Sequence, residues 1–249
     1  FSSEALSLGP FCLQGAEAHH LSHVMRTKVG DEVVLFDGSG DEFDARVTEV
    51  GRKGVQFVVT DQRSIDRELT RSLELAVSLP RGDRSEWLTQ KLVELGVSLL
   101  TPWQTTRSVA VPNAKTVQRL DRQVIEASKQ CGRNRLMRIG PPVSFCDVVS
   151  ADHHAVRLFA HPGPPDPNSS ARATSLVRLS DRLRDRSIRH VVVGVGPEGG
   201  FTDEEVRQAQ QHGWQAVDLG PRVLRTETAA MAIAAWLMLN WPESDEVES

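Results

Sequence analysis

Two glycine-bearing segments hold the residues best suited to chemistry: Val193-Gly-Val-Gly-Pro-Glu-Gly-Gly-Phe201 and Leu219-Gly-Pro-Arg-Val-Leu-Arg-Thr-Glu-Thr228. Each follows a short apolar run, Val191 to Val195 and Ala216 to Leu219, and each precedes a helix signature. A Gly- and Pro-rich loop between strand and helix presents bare backbone N–H and C=O groups to a ligand at the C-terminal edge of a sheet. Two such loops in adjacent units predict one shared pocket for a nucleotide-like molecule. Beside the glycines stand Glu198, Arg225 and Glu227. A carboxylate can take a proton or orient a partner, and a guanidinium can hold developing negative charge.

Gly194, Gly196 and Gly199 satisfy G-x-G-x-x-G after a strand, and Asp218 ends the next strand as a ribose-binding acid would. Three features argue against a dinucleotide site. Pro197 stiffens the middle of the motif. Thr202 with Glu205 forms a capping box, so the helix starts after the glycines rather than within them. Only 31 residues (249 − 218) follow Asp218, too few for the remaining strand–helix units.

Composition is that of a globular protein with room for two domains: 249 residues, 39% hydrophobic and 25% charged. Cys12, Cys131 and Cys146 are odd in number and widely spaced, which indicates neither disulfides nor structural zinc. The pairs His19-His20 and His153-His154 lack companion ligands at metal spacing and read as solvated or locally packed; no metal is expected. Residues from Phe1 onward show no basic n-region followed by an apolar h-region. The longest apolar stretch, Ala229 to Leu239, is too short to span a bilayer and reads as a helix buried on all sides, in a core or a subunit interface. A cytoplasmic enzyme without a membrane partner is the expectation.

A net charge of −4 opposes a nucleic-acid partner until its distribution is considered. Residues 1–72 carry net −4 (8 basic, 12 acidic), 73–140 net +5 (11 and 6), and 141–249 net −5 (10 and 15). The positive middle includes Arg107, Arg119, Arg122 and Lys129 and closes on Arg133, Arg135 and Arg138. Local basic surface matters more for phosphate contact than total charge, although a solvated charged face explains the same pattern.

The elements that must position these groups follow from periodicity. After a short helical stretch around Ala16 to Met25, the strands Val33 to Phe36, Phe43 to Val50 and Val55 to Thr60 are separated by Asp37-Gly-Ser-Gly40 and Gly51-Arg-Lys-Gly54. Short strands with tight turns predict a small β-barrel over residues 1–72, and the polar run Asp61 to Arg71 reads as a linker. Beyond it, strands Leu73 to Leu79, Val97 to Leu100 and Val156 to Ala160 alternate with helices ending at Gly96 and Gly132. A Pro/Ser-rich loop, Pro162 to Ala173, leads to the two glycine segments. This alternation predicts an α/β domain over 73–249 with a mostly parallel sheet covered on both faces.

Leu79-Pro-Arg-Gly-Asp-Arg84, Gln90-Lys-Leu-Val-Glu-Leu-Gly96, Glu126-Ala-Ser-Lys-Gln-Cys-Gly-Arg-Asn-Arg135, Gly196-Pro-Glu-Gly-Gly-Phe201 and Leu219 to Ala229 resemble the bacterial ribosomal RNA uridine-N3 methyltransferases of the SPOUT superfamily. His19-His-Leu-Ser-His-Val-Met-Arg26 and Asp37-Gly-Ser-Gly40 match as well, so the resemblance covers nearly the whole chain. It implies a PUA-type barrel followed by an α/β domain with a deep trefoil knot, the knot and cofactor site lying at about 156–240. It further implies a homodimer that uses S-adenosylmethionine to methylate N3 of one uridine in the decoding-region helix of 16S rRNA, free or in the small subunit. The Pro/Ser-rich loop and the acidic tail Glu243 to Glu248 look peculiar to this chain.

Carried over by position, the cofactor pocket comprises Phe159, Ala160 and His161, then Gly194, Gly196, Pro197 and Gly199, then Leu219, Gly220, Leu224, Arg225, Thr226 and Thr228. Uridine N3 is buried in pairing and protonated, so the base must be exposed and must lose that proton. Arg225 is the first candidate to stabilise the resulting charge, with Glu227 or Glu198 as base or orienter, although Thr226 and Glu227 could simply cap the apolar helix. Arg26, Arg81, Arg84, Arg107, Arg133 and Arg135 are the candidate RNA contacts. Two alternatives stand beside this reading: a SPOUT methyltransferase with another RNA target, and a non-catalytic rRNA-binding module.

Overall fold

The computed structural model describes residues 1–109, 111–151, 155–162, 174–175, 179, 183, 185 and 187–241. His153-His154, the Pro/Ser-rich stretch 163–173 and the acidic tail lie outside the described residues. Chain contacts divide the molecule into two compact units, Phe1–Glu68 with Ser128–Leu136, and Leu69–Ala127 with Met137–Ser249.

In the first unit, β1 (Gly9–Leu13), β2 (Glu32–Phe36), β3 (Asp41–Gly51) and β4 (Gly54–Ser64) form an antiparallel sheet in the order β1-β4-β3-β2. Alternation along β4 sends Val55, Phe57 and Val59 inward, where they meet Phe43, Ala45 and Val47 of β3. Bulges at Asp44/Ala45 and Val47/Glu49 re-aim β3 along its length. The helical stretch is α1 (Gly15–His19) continued by a π-helical turn, His20–Val24. Strand β1 is an element that periodicity did not reveal.

The segment Ser128–Leu136, remote in sequence, belongs to this unit through backbone bridges of Arg135 to Gly38 and Ser39 and through side chains. Arg133 Nε donates to Glu68 Oε1 at 2.8 Å, its Nη2 reaches Oε2, and Asn134 Nδ2 donates to the Ile65 carbonyl at 2.8 Å.

The second unit is built on the parallel strands β5 (Ser72–Val77), β6 (Leu99–Gln104), β7 (Arg138–Ile139), β9 (Val156–Ala160), β10 (Thr174–Ser175), β11 (His190–Val195) and β12 (Gln215–Asp218). Their order is β10-β12-β9-β11-β5-β6-β7, and β8 (Val143–Ser144) pairs with β6. In β11 every residue from Val191 to Val195 is buried, the near-continuous apolar run of a strand covered on both faces.

The helices are α2 (Asp83–Glu94), α3 (Ala114–Cys131), α4 (Phe145–Ser150), α5 (Asp203–Gln211) and α6 (Thr226–Asn240). Gly96 and Gly132 follow α2 and α3 with φ of 77° and 74°, as helix-terminating glycines do. Thr202 and Glu205 form the reciprocal capping box of α5, so the preceding glycines lie wholly in a loop. Among the described residues, no helix is long and apolar enough to cross a membrane.

Candidate active site

The C-terminal ends of β9, β11 and β12 lie side by side in the sheet and open into one cavity of about 280 Å³. Its floor and walls are Ala160, His161 and Pro162 after β9, Val195 to Phe201 after β11, and Asp218, Leu219, Gly220, Arg222, Val223 and Leu224 after β12, with Thr226 and Ala229 of α6. A crevice at the carboxyl ends of adjacent parallel strands is where open α/β sheets place ligands. Two of the lining glycines have left-handed backbones, Gly200 at φ 67° and Gly220 at φ 106°, and a side chain on either would be strained even though open space surrounds both.

The two glycine segments are joined directly: Thr226 Oγ1 donates to the Gly196 carbonyl at 3.0 Å. Leu219 to Leu224 belong to neither helix nor strand, so their backbone groups are not committed to a regular ladder. His161 is held by its N–H bond to the Val217 carbonyl at 3.0 Å. Burial lowers its imidazole pKa, partly offset by Asp203, so the ring is neutral at pH 7.

Of the expected cofactor residues, Ala160, His161, Gly196, Pro197, Gly199, Leu219, Gly220, Leu224 and Thr226 line the cavity. Phe159 and Gly194 lie beneath it. Phe159 is buried against Phe201, and an added Cβ on Gly194 would come 2.4 Å from Trp103 Cη2. Arg225 is the N-cap of α6, exposed beside the cavity, and its side chain has no hydrogen bond or ion pair among the described residues. Thr228 is exposed in the first turn of that helix.

Glu198 is on the cavity wall. Glu227 is buried in the first turn of α6, and its Oε2 has no hydrogen-bond partner among the described residues. Arg84 of α2 stands between the two carboxylates, 3.1 Å from Glu198 Oε1 and 3.5 Å from Glu227 Oε1. One guanidinium thus ties the β11 loop to the start of α6.

Several expected RNA contacts have other partners. Arg133 is only 5% exposed and is spent on Glu68, so the surface role expected for it gives way to a structural one. Arg107 donates to the carbonyls of Gly199 and Phe201 at 2.6 and 3.4 Å. Arg81 donates to the Val109 carbonyl at 2.7 Å. Arg135 is exposed against Gly40, and Arg26 is exposed with φ of 56°, the one non-glycine left-handed residue among those described. Gly200, Phe201, Arg222 and Val223, which lie within the two glycine segments but were not named among the individual contacts, line the cavity as well.

Nine-tenths of the chain has relatives of one kind. The model for an RNA methyltransferase domain matches residues 67–238, and that for an RNA methyltransferase PUA domain matches residues 13–60. Ribosomal RNA small subunit methyltransferase E of Bacillus subtilis is 30% identical over 225 residues, covering 89% of this chain and 86% of that protein. The crystal structure of a ribosomal RNA small subunit methyltransferase E from Neisseria gonorrhoeae bound to S-adenosylmethionine superposes with a TM-score of 0.80 at 30% identity, covering 96% of this chain and 95% of the other. A Legionella pneumophila structure in complex with S-adenosylmethionine gives a TM-score of 0.84 at 30% identity, covering 97% and 96%.

Proposed function

The chain belongs to the RNA methyltransferase family and carries that family's PUA domain, and on that premise we propose that it transfers a methyl group from S-adenosylmethionine to N3 of one uridine in the decoding-region helix of 16S rRNA. The observation that carries the proposal is the cavity formed by the two glycine segments, with Glu198 in its wall and the exposed Arg225 next in sequence to the lining residues Leu224 and Thr226. Its residues fit the cofactor. Leu219, Leu224 and Val195 offer an apolar wall for an adenine ring, and the irregular backbone of 219–224, of which the Gly220 N–H is held by Asp218, offers donors and acceptors for its edge. Neutral His161 adds no positive charge to a pocket for a cation.

When bound, S-adenosylmethionine supplies a methyl group already activated by its sulfonium, so the protein's task is alignment and charge management. The flipped uracil would present N3–H to a carboxylate, with the proton passing to Glu227 or Glu198, the N3–methyl bond replacing the sulfur–methyl bond and S-adenosylhomocysteine leaving as the neutral thioether. Negative charge developing on O2 and O4 is met by Arg225, whose guanidinium is exposed and uncommitted among the described residues. Arg84 keeps both carboxylates anchored near the cavity rim. Arg26 and Arg135 in the first unit and Arg81 in the second are the remaining candidates for rRNA backbone contact. A homodimer, a trefoil-knotted C-terminal domain and a cytoplasmic setting complete the proposal.

The test is methyl transfer from labelled S-adenosylmethionine to small-subunit rRNA, followed by nucleoside analysis, with N3-methyluridine expected. Methylated ribose, or label in transfer RNA alone, replaces the substrate assignment by another RNA target. Absence of any heat on titration with S-adenosylhomocysteine favours a non-catalytic rRNA binder.

A further inference from the structure

We propose that Arg107 is a positioning residue for the cofactor loop rather than an RNA contact, an inference that rests on the reading of the cavity as the methyl-donor site. The loop Gly196 to Phe201 has little structure of its own. Its turn is closed by the Gly200 N–H to Pro197 carbonyl bond at 2.8 Å, and Gly200 is left-handed. Thr226 holds the Gly196 carbonyl and Arg84 holds Glu198, and further restraints come from the end of β6 and the short stretch that follows it. Trp103 Nε1 donates to the Val195 carbonyl at 2.9 Å, where the loop leaves its strand. Arg107 Nη1 donates to the Gly199 carbonyl at 2.6 Å and the Phe201 carbonyl at 3.4 Å, in the middle of the loop. The Thr106 N–H donates to Glu205 Oε1 at 2.7 Å, and Glu205 Oε2 accepts from the Thr202 N–H at 2.8 Å, where the loop enters α5.

The brace is itself rigid. The Thr105 N–H donates to Ser108 Oγ at 2.9 Å, the Ser108 N–H returns to the Thr105 carbonyl at 3.1 Å, and Ser108 Oγ donates to Ser78 Oγ at 3.2 Å at the end of β5. A guanidinium suits the central pin because it offers several donors in one plane with a permanent charge. Gly199 has a matching reason to be glycine. An added Cβ would come 3.3 Å from Arg107 Cδ and 3.4 Å from its Cβ, so the missing side chain makes room for the arginine stem. Two loop carbonyls are thereby held by one side chain, and the cavity-lining stretch of the loop is held with them.

Arg107→Met keeps the stem over Gly199 and removes the donors; Arg107→Lys restores one donor and the charge. In the full-length ligand-free protein, amide exchange at Gly200 should quicken in Arg107→Met and fall between the two in Arg107→Lys. The Kd for S-adenosylhomocysteine should rise about tenfold in Arg107→Met, the scale of one charge-assisted hydrogen bond, with affinity for a small-subunit rRNA fragment unchanged. Wild-type exchange at Gly200 and unchanged cofactor affinity, with rRNA affinity lost instead, would overturn the assignment. Failure of the wild-type protein to bind S-adenosylhomocysteine would sink the methyl-donor reading, and the exchange measurement would still decide the brace.

Discussion

Arg133 and Glu68, 65 residues apart in sequence, face each other as a two-pronged ion pair, with Nε to Oε1 at 2.8 Å. Glu68 ends the first stretch of the N-terminal unit, and Arg133 lies in the short later segment that rejoins it. The pair therefore closes this unit. Removing one member of a buried pair leaves the other charge without compensation, so Arg133→Ala should destabilise the protein by about 3–5 kcal/mol. Thermal unfolding of Arg133→Ala, Glu68→Gln and the double variant measures this, and the double variant should lose less than the sum of the singles. If Arg133→Ala melted like wild type and lost rRNA affinity instead, the residue would return to the RNA surface.

Arg225 occupies the N-cap of α6 with φ −65° and ψ 155°, and its side chain makes no capping bond. The backbone, not the guanidinium, begins the helix, and the side chain is left for other work. Arg225→Ala should therefore cost little stability. Loss of one preorganised charge-stabilising donor lowers turnover by about 10²–10³. Cofactor affinity should change far less. Single-turnover methyl transfer and calorimetry with S-adenosylhomocysteine separate the two quantities, and unchanged turnover removes Arg225 from the mechanism.

The glycines of the site should fail in two different ways. Gly220 has φ 106° with open space around its Cα, so Gly220→Ala introduces backbone strain without a clash, on the order of 1–2 kcal/mol for a left-handed residue. Relief of that strain reshapes the loop, and weaker cofactor binding is the expected readout. Gly194 has no such φ, but a methyl group there would meet the Trp103 ring at 2.4 Å. Gly194→Ala should cost stability through overpacking, about 1–3 kcal/mol, and cofactor affinity only secondarily. Melting curves and calorimetry on the two variants test the contrast; the same pattern in both would contradict it.

What could be read from the chain was what is encoded locally. The capping box joins Thr202 to Glu205, three positions on, so that spacing alone placed the helix start after the glycines. The run Val156 to Ala160 became β9 with the expected bounds, because a buried parallel strand is apolar along its length. Strand β6 lies further along than the run Val97 to Leu100 suggests. Val97 instead closes the turn after α2, its N–H bonded to the Leu92 carbonyl at 3.0 Å, and Pro102 sits inside the strand, where composition argues against one. The strand Gly9–Leu13 and the six-residue helix Phe145–Ser150 are too short to show a period. Arg107 and Arg133 were legible as charge but not as partners. Their acceptors lie 92 and 65 residues away, and only the fold brings them together.

His161 gives the site a pH dependence whose sign can be worked out. Burial lowers its folded-state pKa below the ordinary value of 6.5, with Asp203 opposing the shift. Above pH 7 the ring is neutral in both the folded and the unfolded chain and contributes no slope. As pH falls through 6.5 the unfolded chain takes up the proton first, so the folded state loses stability relative to it. The loss levels off only below the folded-state pKa, and its full size is about 1.4 kcal/mol for each unit by which the pKa is lowered. His161→Asn keeps a polar side chain that does not titrate in this range, so the slope between pH 7 and 5 should be flatter in the variant than in wild type. The difference between the two denaturation profiles isolates His161 from the seven other histidines of the chain. Parallel profiles would mean that the ring protonates as freely in the folded protein as in the unfolded one, and that its burial beside the cavity carries no electrostatic cost.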